Sequence, residues 1–287
     1  MNRLLNFYCL FFLVLLSKAQ FPNSDVWLFK IEEEKNVLPV LSHSLNISNR
    51  EGYDNQPSFT ADGSKIYFVS IKEDKQADIY YYELKSKKIK QLTKSKESEY
   101  SPVHTAEGRY VTTVMVEADS SQRIHFMNTE LGFNEKKFDF DSVGYYHFLN
   151  ADTVIYYKLT QPHSLRYYVK PSKEDNWLCN APVRGFKAIN RHELIYGIKD
   201  STRVVFYIYD FLIHRASKYC EYPSTNEDIV WHAKWGLLKS EEDKILRYDV
   251  TKKEWVLLFD LSNQGIKKIT RFDFDSKNKF LVLVNNL

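Results

Sequence analysis

An all-β fold assembled from repeats of about 40–45 residues is what this sequence predicts, and three observations carry the reading. First, six stretches share one pattern, polar at the start, then aliphatic, then aromatic-rich: residues 24–31 (SDVWLFKI), 77–84 (ADIYYYEL), 122–129 (QRIHFMNT), 163–170 (HSLRYYVK), 202–210 (TRVVFYIYD) and 243–250 (DKILRYDV). β-Branched and aromatic side chains of this kind favour strands. Second, from Ile79 through Ile124, Leu165, Val204 and Ile245 the pattern advances by 45, 41, 39 and 41 residues. A fixed period of that length with several strands per unit marks a β-propeller. Third, the chain holds 20 Tyr and 19 Phe but only 9 Gly. Flat rings suit the faces of stacked sheets, and the turns fall to Asp, Asn, Ser and Lys, as at Asn150-Ala151-Asp152 and Asp275-Ser276-Lys277-Asn278.

The elements follow in order. Arg3, the apolar run 10–16 and the small residues of Ser17-Lys18-Ala19 read as a signal peptide, residues 1–19, cut after Ala19. The run is too short for a comfortable membrane span, and no later segment approaches one. Cys9 precedes the cut, so it is no lipid-attachment site. Strands at 25–31 and 37–41 come next, with no inner pair before them. Inner strand pairs fall at 57–70, 102–116, 146–159, 184–198, 229–239 and 268–284, aligned on Phe59, His104, Phe148, Phe186, Trp231 and Phe274. Outermost strands fall at 88–93, 136–141, 176–180, 217–221 and 254–261. The chain ends after an inner pair that lacks an outer one, so the first two strands complete the last unit. Residues 20–287 thus form one six-bladed β-propeller of four antiparallel strands per blade: 53–94, 98–141, 143–181, 183–222, 227–261, and 266–287 plus 24–44. Closure leaves only short, protected edges. Val26, Leu28, Val37 and Val40 are then expected to be buried.

Loss of residues 1–19 removes Arg3 and Lys18, leaving 38 of the 40 basic side chains against 37 acidic ones. A near-neutral chain gives no electrostatic case for nucleic acid. The run 85–90 (KSKKIK) reads as the solvated edge of an outer strand. Cys179 and Cys220 occupy similar outer positions of consecutive repeats. Such positions splay beyond the roughly 7 Å a disulfide tolerates between Cα atoms, which argues against a bond. Asn46-Ile47-Ser48 is a glycosylation sequon, of consequence only in a eukaryotic secretory pathway. A monomer is expected.

The first full repeat carries a resemblance. Residues 56–70 (QPSFTADGSKIYFVS), Asp78-Ile79-Tyr80 and 90–93 (KQLT) resemble the propeller repeat of the TolB family. Pro57, Ser58, Phe59, Asp62 and Gly63 match that repeat, with Ala61 in place of its turn proline. The second repeat keeps Ser101, Pro102 and Gly108 and has Glu107 where Asp is usual; the later ones keep only the strand pattern. The resemblance implies a fold and a bacterial, periplasmic or secreted setting, not a substrate. TolB carries an α/β domain before its propeller, and prolyl-oligopeptidase-like enzymes carry a G-x-S-x-G hydrolase domain. No G-x-S-x-G occurs here, and a propeller without either domain is expected.

Two groups of residues could carry chemistry. His104, His147 and His232 sit in or near innermost strands. Related propeller lyases hold a divalent metal with channel histidines, which makes these three metal candidates. Against this, His104 takes the slot of Phe59 and Phe148, and His147 is one residue out of phase and points the other way. No metal or cofactor is therefore expected. The segments leading into the inner strands form the second group: Tyr53, Asp54, Asn55, Glu99, Tyr100, Tyr145, Arg184 and Asp228. Such segments converge at one channel mouth, and aromatics mixed with charges and an amide suit a peptide or sugar. No carboxylate pair for glycoside hydrolysis can be nominated. The reading is a non-catalytic propeller that binds a protein or peptide at the cell envelope. A metal-dependent lyase or lactonase, or a carbohydrate-binding propeller using the same mouth, is the alternative.

Overall fold

The computed structural model describes residues 21–33, 38–73, 75–105, 107–223 and 227–287. The predicted signal peptide, its expected cut and Val37 lie outside the described residues. The described residues are all-β, with one short 3₁₀ turn among them at Ser262–Gln264. Its strands run β1 (Ser24–Glu32), β2 (Val40–Asn46), then β3 (Tyr53–Phe59), β4 (Lys65–Ile71), β5 (Ala77–Glu83) and β6 (Lys88–Gln91). Next come β7 (Ser98–His104), β8 (Tyr110–Val116), β9 (Gln122–Asn128) and β10 (Asn134–Lys137). The third set is β11 (Val143–Phe148), β12 (Thr153–Lys158), β13 (Ser164–Val169) and β14 (Glu174–Asn180). The fourth is β15 (Pro182–Asn190), β16 (Glu193–Lys199), β17 (Arg203–Asp210) and β18 (Arg215–Pro223). β19 (Ile229–His232), β20 (Gly236–Glu241), β21 (Lys244–Asp249) and β22 (Glu254–Asp260) follow, and β23 (Ile269–Phe274) and β24 (Phe280–Asn286) end the chain.

Each set from β7 to β22 is a separate four-stranded antiparallel sheet. β3 to β6 form the same meander and join β1 through one parallel pair, Ser24 with Tyr53. β1 also runs antiparallel between β24 and β2, so the two chain ends share a sheet. No helix among the described residues is long and apolar enough to cross a membrane.

Local chemistry sets the hairpins. Between β3 and β4, the Thr60 hydroxyl donates to Asp62 Oδ1 at 2.5 Å and the Ser64 amide does so at 3.0 Å. Those bonds, the Thr60 one foremost, hold the Asp62 carboxyl down at about 2. Gly63 then closes the turn at φ +73°, a conformation that costs glycine nothing.

Second strands such as β4 are buried along almost their whole length, because each is covered on both faces by its neighbours. Phe29 on β1 packs with Leu281 and Leu283 on β24 and with Phe259 and Ile269. Val26 is fully buried and Leu28 nearly so.

Val40 differs from expectation: it is 60% exposed. The second N-terminal strand begins at Val40 rather than 37 and pairs that residue with Glu32, at the solvated end of β1. The fourth repeat also shifts. Ala188, not Phe186, faces the second strand six residues before its partner, as Phe148 and Trp231 do. A wide register slip between Pro182 and Phe186 accounts for the offset. β10 ends at Lys137, earlier than the predicted 136–141. Phe138 and Phe140 turn into the aromatic cluster with Tyr156 and Tyr168 instead.

Candidate functional site

A cavity of about 270 Å³ is lined by residues in or beside β3, β7, β11, β15, β19 and β23, among them Gln56, Ser101, Tyr145, Arg184, Asp228 and Arg271. Local backbone irregularity helps to build it. β3, β7, β11, β15 and β23 each carry a register slip near the cavity, and such bulges re-aim side chains. Gln56 and Ser101 both adopt positive φ there, and the Ser101 amide donates to Gln56 Oε1 at 2.6 Å. Gly185 lets β15 approach the next unit, since a Cβ would lie 2.3 Å from Glu227 O.

The polar centre is one carboxylate between two guanidinium groups. Arg184 Nε donates to Asp228 Oδ1 at 3.1 Å. Arg271 Nη1 lies 3.6 Å from the same oxygen, and its guanidinium sits 5.3 Å from the Tyr145 ring centroid. Burial works against the Arg271 charge, yet Asp228, Tyr145 and Tyr53 hold it firmly protonated. Tyr53 is pushed up to about 12, chiefly by burial and against the pull of Arg271, so it stays a neutral hydroxyl. Phe21 leans on the Tyr53 ring at 5.2 Å. Elsewhere in the cavity, burial drives His147 down to about 3, with Lys187 adding to the effect. Burial also pushes the Asp273 carboxyl up, against the pull of Lys187. Neutral imidazole beside an ammonium and a carboxyl makes a polar lining.

Four predicted face residues, Tyr53, Tyr145, Arg184 and Asp228, thus meet around Arg271. The other four do not meet there. Asp54 is fully buried and bonded by Arg50 at 2.8 Å. Asn55 is buried and accepts from the Gln56 amide at 2.8 Å. Glu99 is fully buried under Thr93 and Ser95. Tyr100 packs into the clusters on both faces of its unit. A strand that enters the core alternates its side chains, so half of any such segment turns inward. Arg271 was missed, although it stands 43 residues after Asp228, a step within the repeat period.

The three histidines do not gather. His104 stacks on Tyr67 at 5.9 Å, and His232 stacks on Trp235 at 4.1 Å while its Nδ1 accepts from the Lys234 amide. Among the described residues no group of three His, Cys, Asp or Glu side chains is placed to hold a metal. Cys179 and Cys220 are both free and buried.

No protein-family profile matches the sequence, and no curated protein does. Solved structures do match the fold. A protein assigned as TolB in Agrobacterium tumefaciens superimposes with a TM-score of 0.66 at 8% identity, over 93% of this chain and 99% of that one. A chain of the nidogen–laminin complex gives 0.62 at 9% identity, over 91% and 98%. TolB from Acinetobacter baumannii gives 0.52 at 13% identity, over 70% of this chain and 52% of that one. The chain therefore spans about half the length of that TolB. These likenesses show a TolB-like β-propeller fold.

Proposed function

We propose that the chain is a six-bladed propeller, its last blade completed by β1 and β2, that binds a protein or peptide at the channel mouth without catalysis. It works outside the cytoplasm, periplasmic or secreted, after cleavage near Ala19. The observation that carries the reading is the cluster of Tyr145, Arg184, Asp228 and Arg271 in the lining of the cavity, with Tyr53 near enough to feel the Arg271 charge. Aromatic rings and arginines held in place by a carboxylate are what protein interfaces use as anchors. A partner's carboxylate could take Arg271 at its longer 3.6 Å contact while Arg184 keeps Asp228. The fold likeness to a chain of a protein–protein complex fits this reading without naming the partner.

The test is site-specific crosslinking in the native host. A photoreactive residue at Tyr145 should give one discrete adduct, abolished by Arg271→Ala. The same residue at exposed Leu212 should not give it. Equal labelling at both positions, or no adduct at Tyr145, would remove the mouth as the binding face. Intact mass of the native protein beginning at Met1 would remove the secreted setting.

A further inference from the structure

A second groove, of about 820 Å³, lies between the units β7–β10 and β11–β14 and is lined by Phe59, Phe126, Phe138, Phe148, Tyr168 and Lys170 among others. Small-molecule sites have this size. It sits at the far end of the first strands from the candidate mouth. Phe59 and Phe148 are the last residues of β3 and β11, whereas Tyr53 opens β3 and Tyr145 is third in β11. The groove wall is aromatic because β10 stops at Lys137 and Phe138 turns in. The Phe138 ring stands 5.5 Å from Phe126 and 5.7 Å from Tyr168. Phe138, Phe148 and Tyr168 are each only half-buried, so adjacent rings are left partly uncovered, a surface that a ligand can cover.

Two ammonium groups border these rings. Lys170 Nζ lies 5.0 Å from the centre of the Phe148 ring and 5.8 Å from that of Phe138. Lys136 Nζ lies 4.5 Å from the centres of Phe126 and Tyr110. Ring faces attract a cation but bring it no opposite charge. Lys170 donates to Ala151 O at 2.6 Å and has further N–H donors to offer. Among the described residues neither lysine forms an ion pair, whereas neighbouring Lys137 pairs with Glu117 at 2.8 Å. Burial works against the Lys170 charge and Lys136 adds to the effect, which Asp152 and Glu107 only partly offset. Glu107 and Asp139 also line the groove, but both are exposed, and water and salt screen exposed charges. A half-buried cation beside uncovered rings suits a ligand that is flat, apolar and anionic at one end.

We propose that this groove binds one small aromatic carboxylate, its ring against Phe138, Phe148 and Tyr168 and its anionic group at Lys170, with Lys136 adding attraction from the exposed side. Ring–ring contacts add to plain burial of area, and a carboxylate on an ammonium makes a charge-assisted hydrogen bond. An alkyl acid lacks the first and a neutral arene lacks the second. The inference does not rest on the mouth residues or on any protein partner there.

Isothermal titration calorimetry of the purified chain with 1-naphthoate tests it, with 1-naphthalenemethanol as the neutral analogue and decanoate as the flexible acid. Naphthoate should bind at one equivalent and at least about tenfold tighter than either analogue. Added salt should weaken naphthoate and not the neutral analogue. Lys170→Gln should weaken naphthoate by about tenfold and leave the neutral analogue unchanged. Lys136→Gln, on the exposed strand β10, should weaken it by about two- to threefold. Lys88→Gln, on the exposed strand β6, should change nothing. The comparison of analogues on the wild type and the Lys136→Gln result stand even where Lys170→Gln melts early. No binding of naphthoate at millimolar concentration, equal affinity for naphthoate and its neutral analogue, equal affinity for decanoate, or unchanged naphthoate affinity in the double glutamine variant would each overturn the proposal.

Discussion

Glu99 offers a direct test of how the first two units are joined. Its carboxylate is fully buried. The Thr93 hydroxyl donates to Oε2 at 3.0 Å and the Ser95 hydroxyl donates to Oε1. Thr93 in turn accepts from the Ile79 amide at 2.9 Å, so the carboxylate anchors the end of one unit to the start of the next. Burial pushes its pKa from an ordinary 4.5 up to about 7, and the two hydroxyls only partly oppose this. The sign follows from proton counting. Between about 4.5 and 7 the folded chain keeps a proton that the unfolded chain has released. Stability is therefore full below the lower value and is lost as pH rises through the upper one. About two and a half pH units at roughly 1.36 kcal/mol each give about 3 kcal/mol. Glu99→Gln is neutral throughout and lacks this slope. Urea unfolding of both proteins from about pH 4.5 to about pH 8 should move the stability difference by about 3 kcal/mol in favour of the glutamine variant. A difference that stays constant across the series would refute the assignment of a protonated, buried Glu99.

Three further outcomes are expected. Phe29→Ala should cost about 3–5 kcal/mol by urea unfolding because Phe29 is fully buried against β24, whereas Val40→Ala, at an exposed edge, should stay within about 0.5 kcal/mol; similar losses would mean that β1 is not a core strand. Both cysteine thiols are pushed up to about 12 by burial, so iodoacetamide should modify neither in the native protein and both after denaturation, as read by mass. Gly185→Ala should cost about 1–3 kcal/mol, since its Cβ would meet the backbone of Glu227 and Ile229; a melting temperature equal to wild type would count against the close approach of β15 to the next unit.

Much of the fold was legible because period and alternation are properties of the chain itself. Residues 77–84 forecast β5 to within one residue, and 122–129 forecast β9 equally well. Phe186 was misaligned because β15 is longer than its counterparts and slips in register, and an insertion inside a strand leaves no turn residue to mark it. The site was half legible. Arg184 and Asp228 stood out as charges leading into strands, and the structure pairs them. Asp54 and Glu99 carried the same signal, yet they turn inward to Arg50 and to Thr93 and Ser95. Which face a polar residue takes depends on a local bulge, and a bulge needs only one residue in an unusual conformation, as at Gln56 and Ser101.

The partnership of β1 with β24 has a temporal side. Val26 is registered opposite Val284 and Phe29 opposite Leu281, so these contacts join the earliest and latest described strands of the nascent chain. At about 5–20 residues per second, β24 emerges well over ten seconds after β1. Through that interval β1 can pair only with β2 and β3, and a hydrophobic edge holding Trp27, Leu28 and Phe29 stays open to wrong partners. Contacts so distant in sequence are also slow to form once the chain is complete. Among the contacts of the described strands, the pairing of β1 with β24 therefore comes late, and until then the β1 edge that meets β24 stays bare.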